Sequence, residues 1–257
     1  MRKGISFFSG CGGSSLGYTL AGVKMIYANE FIPKASETYS ANFPNTYMDT
    51  RDIRKIQPQE ILDIIKLKKG ELDFLDGSPP CASFSSAGKR EKGWGKVKSY
   101  SDKAQRTDDL FYEYIRMVKN IEPKIFIAEN VSGLIMGKAK GYFNIFFREF
   151  SKLNYNVKAS LLDASYLGVP QMRKRVFIIG VRKDLDKQPV FPKKQKRLIV
   201  KDVYDRNYPI EDEAKKLSPC YIPRLKLLKQ GEQPQGSYFS LKRNHMCSLL
   251  LLPILYL

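Results

Sequence analysis

Short apolar runs, rich in branched and aromatic residues, recur along the first two thirds of the chain. They lie at residues 5–8, 25–28, 74–75, 124–128 and 176–179. Runs of this length and composition are typical of strands buried inside a sheet. The pattern therefore predicts a sheet that includes these five segments.

Segments with a helical spacing of apolar residues lie between these runs. The clearest covers residues 104–120, and others cover 14–21 and 142–153. In the first of them four apolar side chains share one face: Leu110, Tyr114, Met117 and Val118. Strands that alternate with helices predict an α/β fold in which a parallel sheet is covered by helices on both sides.

The composition of the chain changes after Arg182. A lysine-rich stretch with little periodicity follows, and prolines punctuate it at positions 189, 192, 209, 219, 223 and 234. We therefore predict a first domain at residues 1–185 and a second region at 186–257. The end of that region, residues 246–257, is almost wholly apolar.

Basic residues outnumber acidic ones along the chain. Lys and Arg total 44 against 26 Asp and Glu, which gives a formal net charge of +18. This balance favours binding to a polyanion, with nucleic acid as the leading candidate and a solvated basic surface as the alternative. With 43% hydrophobic residues the chain can bury a sizeable core, so a globular protein is expected.

The cysteine pattern argues against a structural metal site. No CxxC pair occurs among Cys11, Cys81, Cys220 and Cys247, and His245 is the only histidine. No secretory leader precedes the first apolar run, so reduced thiols and a cytoplasmic location are expected. The apolar tail at 249–257 is shorter than the roughly 20 residues that span a bilayer, so we expect no membrane partner.

A glycine-rich turn at residues 7–13 follows the first strand and precedes a helix. Glycines there let the backbone approach a ligand closely, and the start of the helix offers unpaired N–H groups. Glu30 follows the second strand, where a carboxylate can accept hydrogen bonds from ribose hydroxyls, and Phe31 could stack on an adenine. A tight turn that serves only packing is the alternative.

Cys81 leaves a predicted strand end on a Pro-Pro turn and is followed by the hydroxyl-rich residues Ser83, Ser85 and Ser86. At the carboxyl end of a parallel strand it would face the crevice where doubly wound sheets bind ligands, which is the position of a nucleophile. An inert buried cysteine is the alternative. The following segment, 88–95, is basic and holds the only tryptophan, Trp94. It is typical of a loop able to close over a substrate, and an ordinary solvated loop is the alternative.

Two further segments carry charged groups at strand ends. Glu129 ends an apolar strand, where a carboxyl can share a proton with a ring nitrogen, although a helix cap is the alternative. Arg173 and Arg175 lie two residues apart just before another strand. They could contact a carbonyl, a carboxylate or a phosphate, and a basic surface is the alternative.

Taken in order, these four segments resemble the DNA cytosine-5 methyltransferase family. The matching signatures are the FxGxGG turn, PC followed by FS, the ENV tripeptide and QxRxR, and the resemblance covers nearly all of residues 5–185. Asp52-Ile53 resembles the acid that contacts the cofactor adenine, and 106–111 resembles the helix start that lines the methionine side of the pocket. The family implies a Rossmann-like, doubly wound, mostly parallel sheet of the class I S-adenosylmethionine-dependent methyltransferase fold, with an incomplete C-terminal recognition region.

The resemblance implies a mechanism in which the Cys81 thiolate attacks C6 of a cytosine that has been flipped out of double-stranded DNA. Glu129 would act at N3, Arg175 would hold the carbonyl O2, and Arg173 would support the nucleophile loop. Substrate contacts are implied for Ser85 and Gln171. The enzyme would belong to a restriction-modification system and use S-adenosylmethionine but no metal. The cofactor-binding residues implied are Phe8, Gly10, Gly12, Gly13, Glu30, Phe31, Asp52, Ile53, Ser78, Pro80 and Leu110.

The chain also departs from the family pattern. Ala82 stands where the family usually has glutamine after the PC pair. Residues 216–231 resemble the start of a recognition region, but the two elements that follow it in the family have no counterpart here. We therefore expect either a truncated or frameshifted chain or a split enzyme completed by a second polypeptide. In either case the isolated chain is expected to bind cofactor weakly and to have little activity.

Three other functions share part of the pattern. A tRNA cytosine-5 methyltransferase of the DNA-enzyme-like type would carry nearly the same motifs. A non-catalytic nucleic-acid-binding remnant would retain the fold without the reaction. A nicotinamide oxidoreductase would explain the glycine turn but would leave PC, ENV and QxRxR as coincidences.

Overall fold

The structure is a computed structural model that describes residues 1–80, 98–100, 103–105, 109–137 and 139–199. Cys81, Ser83, Ser85, Trp94, the start of the 106–111 segment and everything from residue 200 onward lie outside the described residues. The predictions made for them therefore stay predictions.

Nine strands and five α-helices make up the described chain. The first half contains β1 (Arg2–Phe7), α1 (Gly13–Leu20), β2 (Val23–Asn29), α2 (Pro33–Asn42), β3 (Tyr47–Asp49), α3 (Pro58–Ile65) and β4 (Phe74–Gly77). A short antiparallel hairpin follows, formed by β5 (Lys98–Tyr100) and β6 (Lys103–Gln105). The remaining elements are α4 (Leu110–Ile121), β7 (Ile125–Val131), α5 (Ala139–Ser151), β8 (Tyr155–Asp163) and β9 (Lys174–Arg182).

Seven of the strands form one sheet in the order β3-β2-β1-β4-β7-β9-β8. The pairs from β3 to β7 are parallel, and β7 pairs with β9 antiparallel. From β1 the chain builds the sheet in one direction through β2 and β3, and then returns to the other side of β1 with β4. The boundary between β1 and β4 is therefore the switch point at which sheets of this kind bind ligands, beyond the carboxyl ends of the strands.

Helices cover both faces of this sheet, as the side chains of β4 show. Phe74 contacts Tyr18 of α1, with the ring centroids 4.3 Å apart. A Cβ atom on Gly77 would lie only 2.2 Å from the ring of Tyr114 in α4. Because Phe74 and Gly77 point to opposite faces of the strand, α1 and α4 lie on opposite sides of the sheet. This confirms the prediction of a doubly wound, mostly parallel α/β fold.

Stacked aromatic side chains form much of the core on the α4 side. Phe111 stacks on Phe146 of α5 with centroids 4.0 Å apart, and Phe126 of β7 stacks on Phe150 with centroids 4.5 Å apart. Each such ring contributes about 1.5–3 kcal/mol by leaving water. The buried Tyr114 hydroxyl donates to the carbonyl oxygen of Ile127 at 2.7 Å, so this polar group does not oppose burial.

All five predicted strand segments overlap strands of the sheet, with residues 8 and 124 just outside β1 and β7, and the helices predicted at 14–21 and 142–153 overlap α1 and α5. Strands β3 and β8 of the sheet were not predicted. The start of the helix predicted at 104–120 is wrong. Residues 103–105 form a strand, and the helix begins at Leu110. The backbone of 103–105 pairs with 98–100 across the hairpin and so cannot join the helix. The pattern also did not reveal that β9 runs antiparallel to β7.

The described residues divide into two units by their internal contacts. The first comprises residues 1–162 and 174–192 of the described chain, and the second comprises 163–173 and 193–199. Within the second unit the backbone N–H groups of Gln195 and Leu198 donate to the carbonyl oxygens of Tyr166 and Ser165. The predicted boundary at residue 185 stays a prediction.

Among the described residues, no helix combines the length and the apolarity that a membrane crossing requires.

Candidate active site

The glycine turn, residues 8–13, joins β1 to α1 through backbone conformations that favour glycine. Gly10 has a φ of 55° and Gly12 a φ of 93°, and Gly12 caps α1. A Cβ atom on Gly12 would lie 2.5 Å from the ring of Phe43, so the turn packs closely on α2 and its C-terminal flank. Among the described residues, nothing lies within 4 Å of a Cβ atom placed on Gly10. In this part of the structure the backbone at Gly10 therefore faces open space that a ligand can enter.

Glu30 anchors this turn to the end of β2. The side chain is buried, and its two carboxylate oxygens accept hydrogen bonds of 2.8 Å from the backbone N–H groups of Gly10 and Ile32. A carboxylate has about four acceptor positions, so Glu30 keeps the capacity to accept further bonds from a ligand. Phe31, the predicted stacking residue, follows directly and is partly exposed.

Asp52 and Ile53 lie in a short 3₁₀ turn after β3. The Asp52 carboxylate accepts a hydrogen bond from the backbone N–H of Arg54 and forms an ion pair of 2.9 Å with its guanidinium. Arg54 also pairs with Asp109 at 2.6 Å, immediately before α4. The turn is therefore held to the start of the helix that carries Leu110. Ile53 and Leu110 are both buried in the core.

The segment that leads to Cys81 is held on two sides. Ser78 donates from its backbone N–H to the carbonyl oxygen of Phe7 at 3.4 Å and from its hydroxyl to that of Phe8 at 3.1 Å. On the other side, the amide of Asn130 donates to the carbonyl oxygen of Pro79 at 3.0 Å. Pro80 is the last described residue before Cys81. The ends of β1 and β7 thus both hold the chain just before the predicted nucleophile.

Glu129 and Arg175 form an ion pair at the carboxyl end of β7. Nε of Arg175 lies 3.0 Å from Oε1 of Glu129, and their side chains are 22% and 25% exposed. Glu129 is in register with Phe177, two residues beyond Arg175 on β9. Residues two apart on a strand share a face, so the two side chains are diagonal neighbours. The pair presents one carboxylate and one guanidinium at the edge where β1, β2 and β4 also end.

Gln171 and Arg173 belong to the second unit. The backbone N–H of Gln171 donates to Val169, and the carbonyl oxygen of Arg173 accepts a bond of 3.1 Å from Ala164. The side chain of Gln171 is exposed, and that of Arg173 is partly exposed.

Within the first unit, the structure brings together the glycine turn, Glu30, Ser78, Pro80 and the Glu129–Arg175 pair at one edge of the sheet.

Asp76 is a polar residue that the sequence analysis did not single out. It is 3% exposed in β4, and its carboxylate accepts hydrogen bonds from the hydroxyls of Ser6, Ser14 and Tyr18. Burial raises the pKa of Asp76 to about 6, against the lowering effect of these three bonds. The available signal was an acid directly after the apolar run 74–75 and before the Pro-Pro turn.

In the described part of the chain, no cluster of three or more His, Cys, Asp or Glu side chains could hold a metal ion.

Comparisons with known proteins identify relatives of the chain. Type II methyltransferase M.NgoPII of Neisseria gonorrhoeae is 36% identical over 241 residues, which is 92% of this chain and 65% of that protein. Type II methyltransferase M.FnuDI of Fusobacterium nucleatum is 36% identical, with 83% of this chain and 59% of that protein covered. The chain thus spans about two thirds or less of these curated relatives.

Solved structures show the same fold. A crystal structure described as a DNA modification methyltransferase encoded within an E. coli prophage superposes with a TM-score of 0.66 at 29% identity, covering 82% of this chain and 56% of that one. DNMT2 of Spodoptera frugiperda, at 23% identity and a TM-score of 0.65, shares the fold over 88% of this chain and 65% of its own. The family model for C-5 cytosine-specific DNA methylase matches residues 2–249. The chain therefore belongs to the C-5 cytosine-specific DNA methylase family.

Proposed function

We propose that this chain is the catalytic part of an enzyme that transfers a methyl group to C5 of cytosine in double-stranded DNA, with Cys81 as the nucleophile. The observation that carries the proposal is the Glu129–Arg175 pair of 3.0 Å at the end of β7. Next to it, Asn130 binds the carbonyl oxygen of Pro79, two residues before Cys81. The strand end that carries the acid and its guanidinium partner therefore also holds the segment that leads to the thiol, which supports attack on a pyrimidine ring at this place.

The proposed chemistry divides the work among these groups. The Cys81 thiolate attacks C6 across the C5–C6 double bond and forms a carbon–sulfur bond, while Glu129 protonates or hydrogen-bonds N3 and so stabilises the added charge. After C5 has taken the methyl group, the C5 proton passes to a base and the carbon–sulfur bond breaks, which returns the Cys81 thiolate and leaves 5-methylcytosine. Arg175 holds the carbonyl O2, and an entering cytosine would compete with Glu129 for this guanidinium. Arg173 supports the nucleophile loop, and Ser85 and Gln171 contact the target nucleotide.

The described residues fit the methyl donor that the family implies. S-adenosylmethionine, when bound, supplies the methyl group for C5. The open space at Gly10 lies beside the buried carboxylate of Glu30, which can accept further hydrogen bonds. Gly12 and Gly13 shape the turn. The other residues proposed to line this site are Phe8, Phe31, Asp52, Ile53, Ser78, Pro80 and Leu110.

The proposed partner is duplex DNA, with residues 1–185 as the catalytic domain and 186–257 as the start of a recognition region. The target base must leave the helix stack, which costs a few kcal/mol that phosphate contacts must offset. A net charge of +18 supports such contacts.

A covalent trap tests the proposal. The chain is incubated with S-adenosylmethionine and duplex DNA that contains 5-fluorocytosine, which cannot lose its C5 substituent. Mass spectrometry is expected to find the DNA attached to Cys81 in the wild type and in the control Cys220→Ser, and no adduct in Cys81→Ser. An adduct that persists in Cys81→Ser, or none in the wild type, would contradict the proposal. The same trap with 5-fluorocytidine tRNA tests the tRNA alternative.

A further inference from the structure

A buried carboxylate lies at the switch point of the sheet, beneath the glycine turn. Asp76 is in register with Ser6 of β1 and with Ile127 of β7. Its Oδ1 accepts a hydrogen bond of 2.8 Å from Tyr18, and its Oδ2 accepts bonds of 3.0 Å from Ser6 and Ser14. Two of these donors, Ser14 and Tyr18, belong to α1, which begins at the end of the glycine turn.

In the part of the chain that the structure describes, no cation compensates this carboxylate. Among the described residues Asp76 has no Lys or Arg within ion-pair distance, and its polar partners are the three hydroxyls. The titratable groups that face it are Tyr18 of α1, Tyr39 of α2, Tyr114 of α4 and Glu129 of β7. Each of them carries either no charge or a negative charge at neutral pH. A buried acid in such surroundings opposes folding when it is ionised.

The hydroxyl bonds connect the two loops that the proposed reaction must keep in register. Asp76 precedes Cys81 by five residues on the same segment, and Ser14 follows Gly13 directly. A second connection lies two residues after Asp76, where the hydroxyl of Ser78 donates to the carbonyl oxygen of Phe8. The end of β4 is thereby joined to both sides of the glycine turn.

We infer that Asp76 is a positioning residue that holds the glycine turn against the end of β4, and so sets the place of the methyl donor relative to the segment that carries Cys81. The inference rests on the proposed function. An ionised carboxylate can accept hydrogen bonds from all three hydroxyls at once. A protonated acid or an amide presents a donor on one side, so one of the three hydroxyls would have to rotate and accept a hydrogen bond instead. Loss of the charge therefore loosens the glycine turn, even though it also removes the free-energy cost of burying an ionised acid.

Three variants separate this role from ordinary core packing. Asp76→Asn removes the charge at constant size, and Tyr18→Phe removes one of the three donors. Tyr39→Phe is the matched control, because it also removes one buried tyrosine hydroxyl, but one that donates to Ser15 at 2.9 Å instead of to Asp76. Local loosening is read from amide hydrogen exchange at Gly10 and Gly12, whose N–H groups donate to Glu30 and Ser9.

The reference amides are Lys124 and Arg182, which are bonded at the opposite end of the sheet. In Asp76→Asn and Tyr18→Phe, exchange at Gly10 and Gly12 is expected to rise about tenfold or more relative to these references, as for the loss of a bond to a charged group. Tyr39→Phe should leave the ratio unchanged. Exchange that rises equally at all four amides, or at none, overturns the inference.

Binding of S-adenosylhomocysteine, measured by calorimetry, supplies the second readout. The wild type is expected to lose affinity as the pH falls from 8 to 5, and Asp76→Asn should bind about tenfold more weakly at pH 8 with little further pH dependence. Unchanged affinity in Asp76→Asn overturns the inference. If the wild type binds no S-adenosylhomocysteine, the cofactor part of the proposed function fails, and the exchange ratio alone decides the role of Asp76.

Discussion

The side-chain hydroxyl of Ser78 donates a hydrogen bond of 3.1 Å to the carbonyl oxygen of Phe8. The two residues lie 70 positions apart in the chain and follow β4 and β1, the two strands on either side of the switch point. Phe8 itself has a φ of 55°, which is unusual for a residue other than glycine. This bond therefore joins the proposed cofactor turn to the proposed nucleophile segment at the place where ligands are expected to bind.

Replacing Ser78 with Ala should weaken this joint. We expect a loss of about 1 kcal/mol in the free energy of unfolding, as for a typical partly buried hydrogen bond, and a several-fold weaker affinity for S-adenosylmethionine. Denaturant unfolding and calorimetry measure the two effects. Ser36→Ala on α2 is the control, because Ser36 also donates to a carbonyl oxygen, that of Pro33, without touching either loop. Equal cofactor affinity in the two variants would count against the proposed joint.

Two glycines of the turn should respond differently to alanine. Gly10→Ala meets no atom of the described residues within 4 Å, so it should cost only about 1 kcal/mol of backbone strain at a φ of 55° while blocking the approach of the methyl donor. Gly12→Ala places its Cβ atom 2.5 Å from Phe43 and should destabilise the fold by more, about 2 kcal/mol or above.

Thermal unfolding and cofactor titration separate these two outcomes. Combining Gly12→Ala with Phe43→Ala should restore part of the Gly12→Ala loss that comes from the clash. Cofactor affinity that survives in Gly10→Ala would show that the open side of the turn is not where the ligand binds.

The ionisation of Asp76 should make stability depend on pH. Its pKa is about 6 in the folded chain against 3.8 ordinarily, so the folded state binds the proton more tightly than the unfolded state. The resulting stabilisation is fully present below pH 3.8 and is lost as the pH rises through 6. The difference corresponds to roughly 3 kcal/mol.

The unfolding free energies of the wild type and Asp76→Asn are compared by denaturant titration between pH 4 and 8. Asp76→Asn should gain stability relative to the wild type as the pH rises, because it has no charge to bury. All other groups titrate in both proteins, so the difference isolates Asp76. A difference that stays constant across this range would contradict the assigned pKa.

The Glu129–Arg175 pair should matter far more for catalysis than for stability. Its side chains are each about one quarter exposed, and partly exposed ion pairs contribute about 1 kcal/mol or less to folding. Glu129→Gln cannot supply a proton at N3, so methyl transfer should fall by about 100-fold or more. Lys124→Gln is the control, because it breaks another partly exposed ion pair, that of 2.7 Å with Asp73 at the opposite end of the sheet. A Glu129→Gln enzyme with normal turnover would remove Glu129 from the mechanism.

Much of the site followed from local sequence. The glycine turn, the Pro-Pro segment before Cys81 and the acid at the end of β7 were recognisable because a turn after a buried strand places them at the carboxyl edge of a parallel sheet. Leu110, Tyr114, Met117 and Val118 also lie buried on one face of α4, as their spacing indicated. The error at 104–105 arose because spacing cannot distinguish a helix from a hairpin whose backbone partners lie several residues away.

The sequence by itself therefore determined five of the seven strands of the main sheet, the family and the residues proposed for the reaction, because each of these depends on periodicity or on a short motif. Only the tertiary structure decided that β9 runs antiparallel to β7, that Arg54 joins Asp52 to Asp109, and that Asp76 meets hydroxyls from β1 and α1. The bonding partners of Asp76 lie 58 to 70 residues away in the chain. Such contacts arise when distant elements pack against one another, and the pattern of any single segment does not contain them.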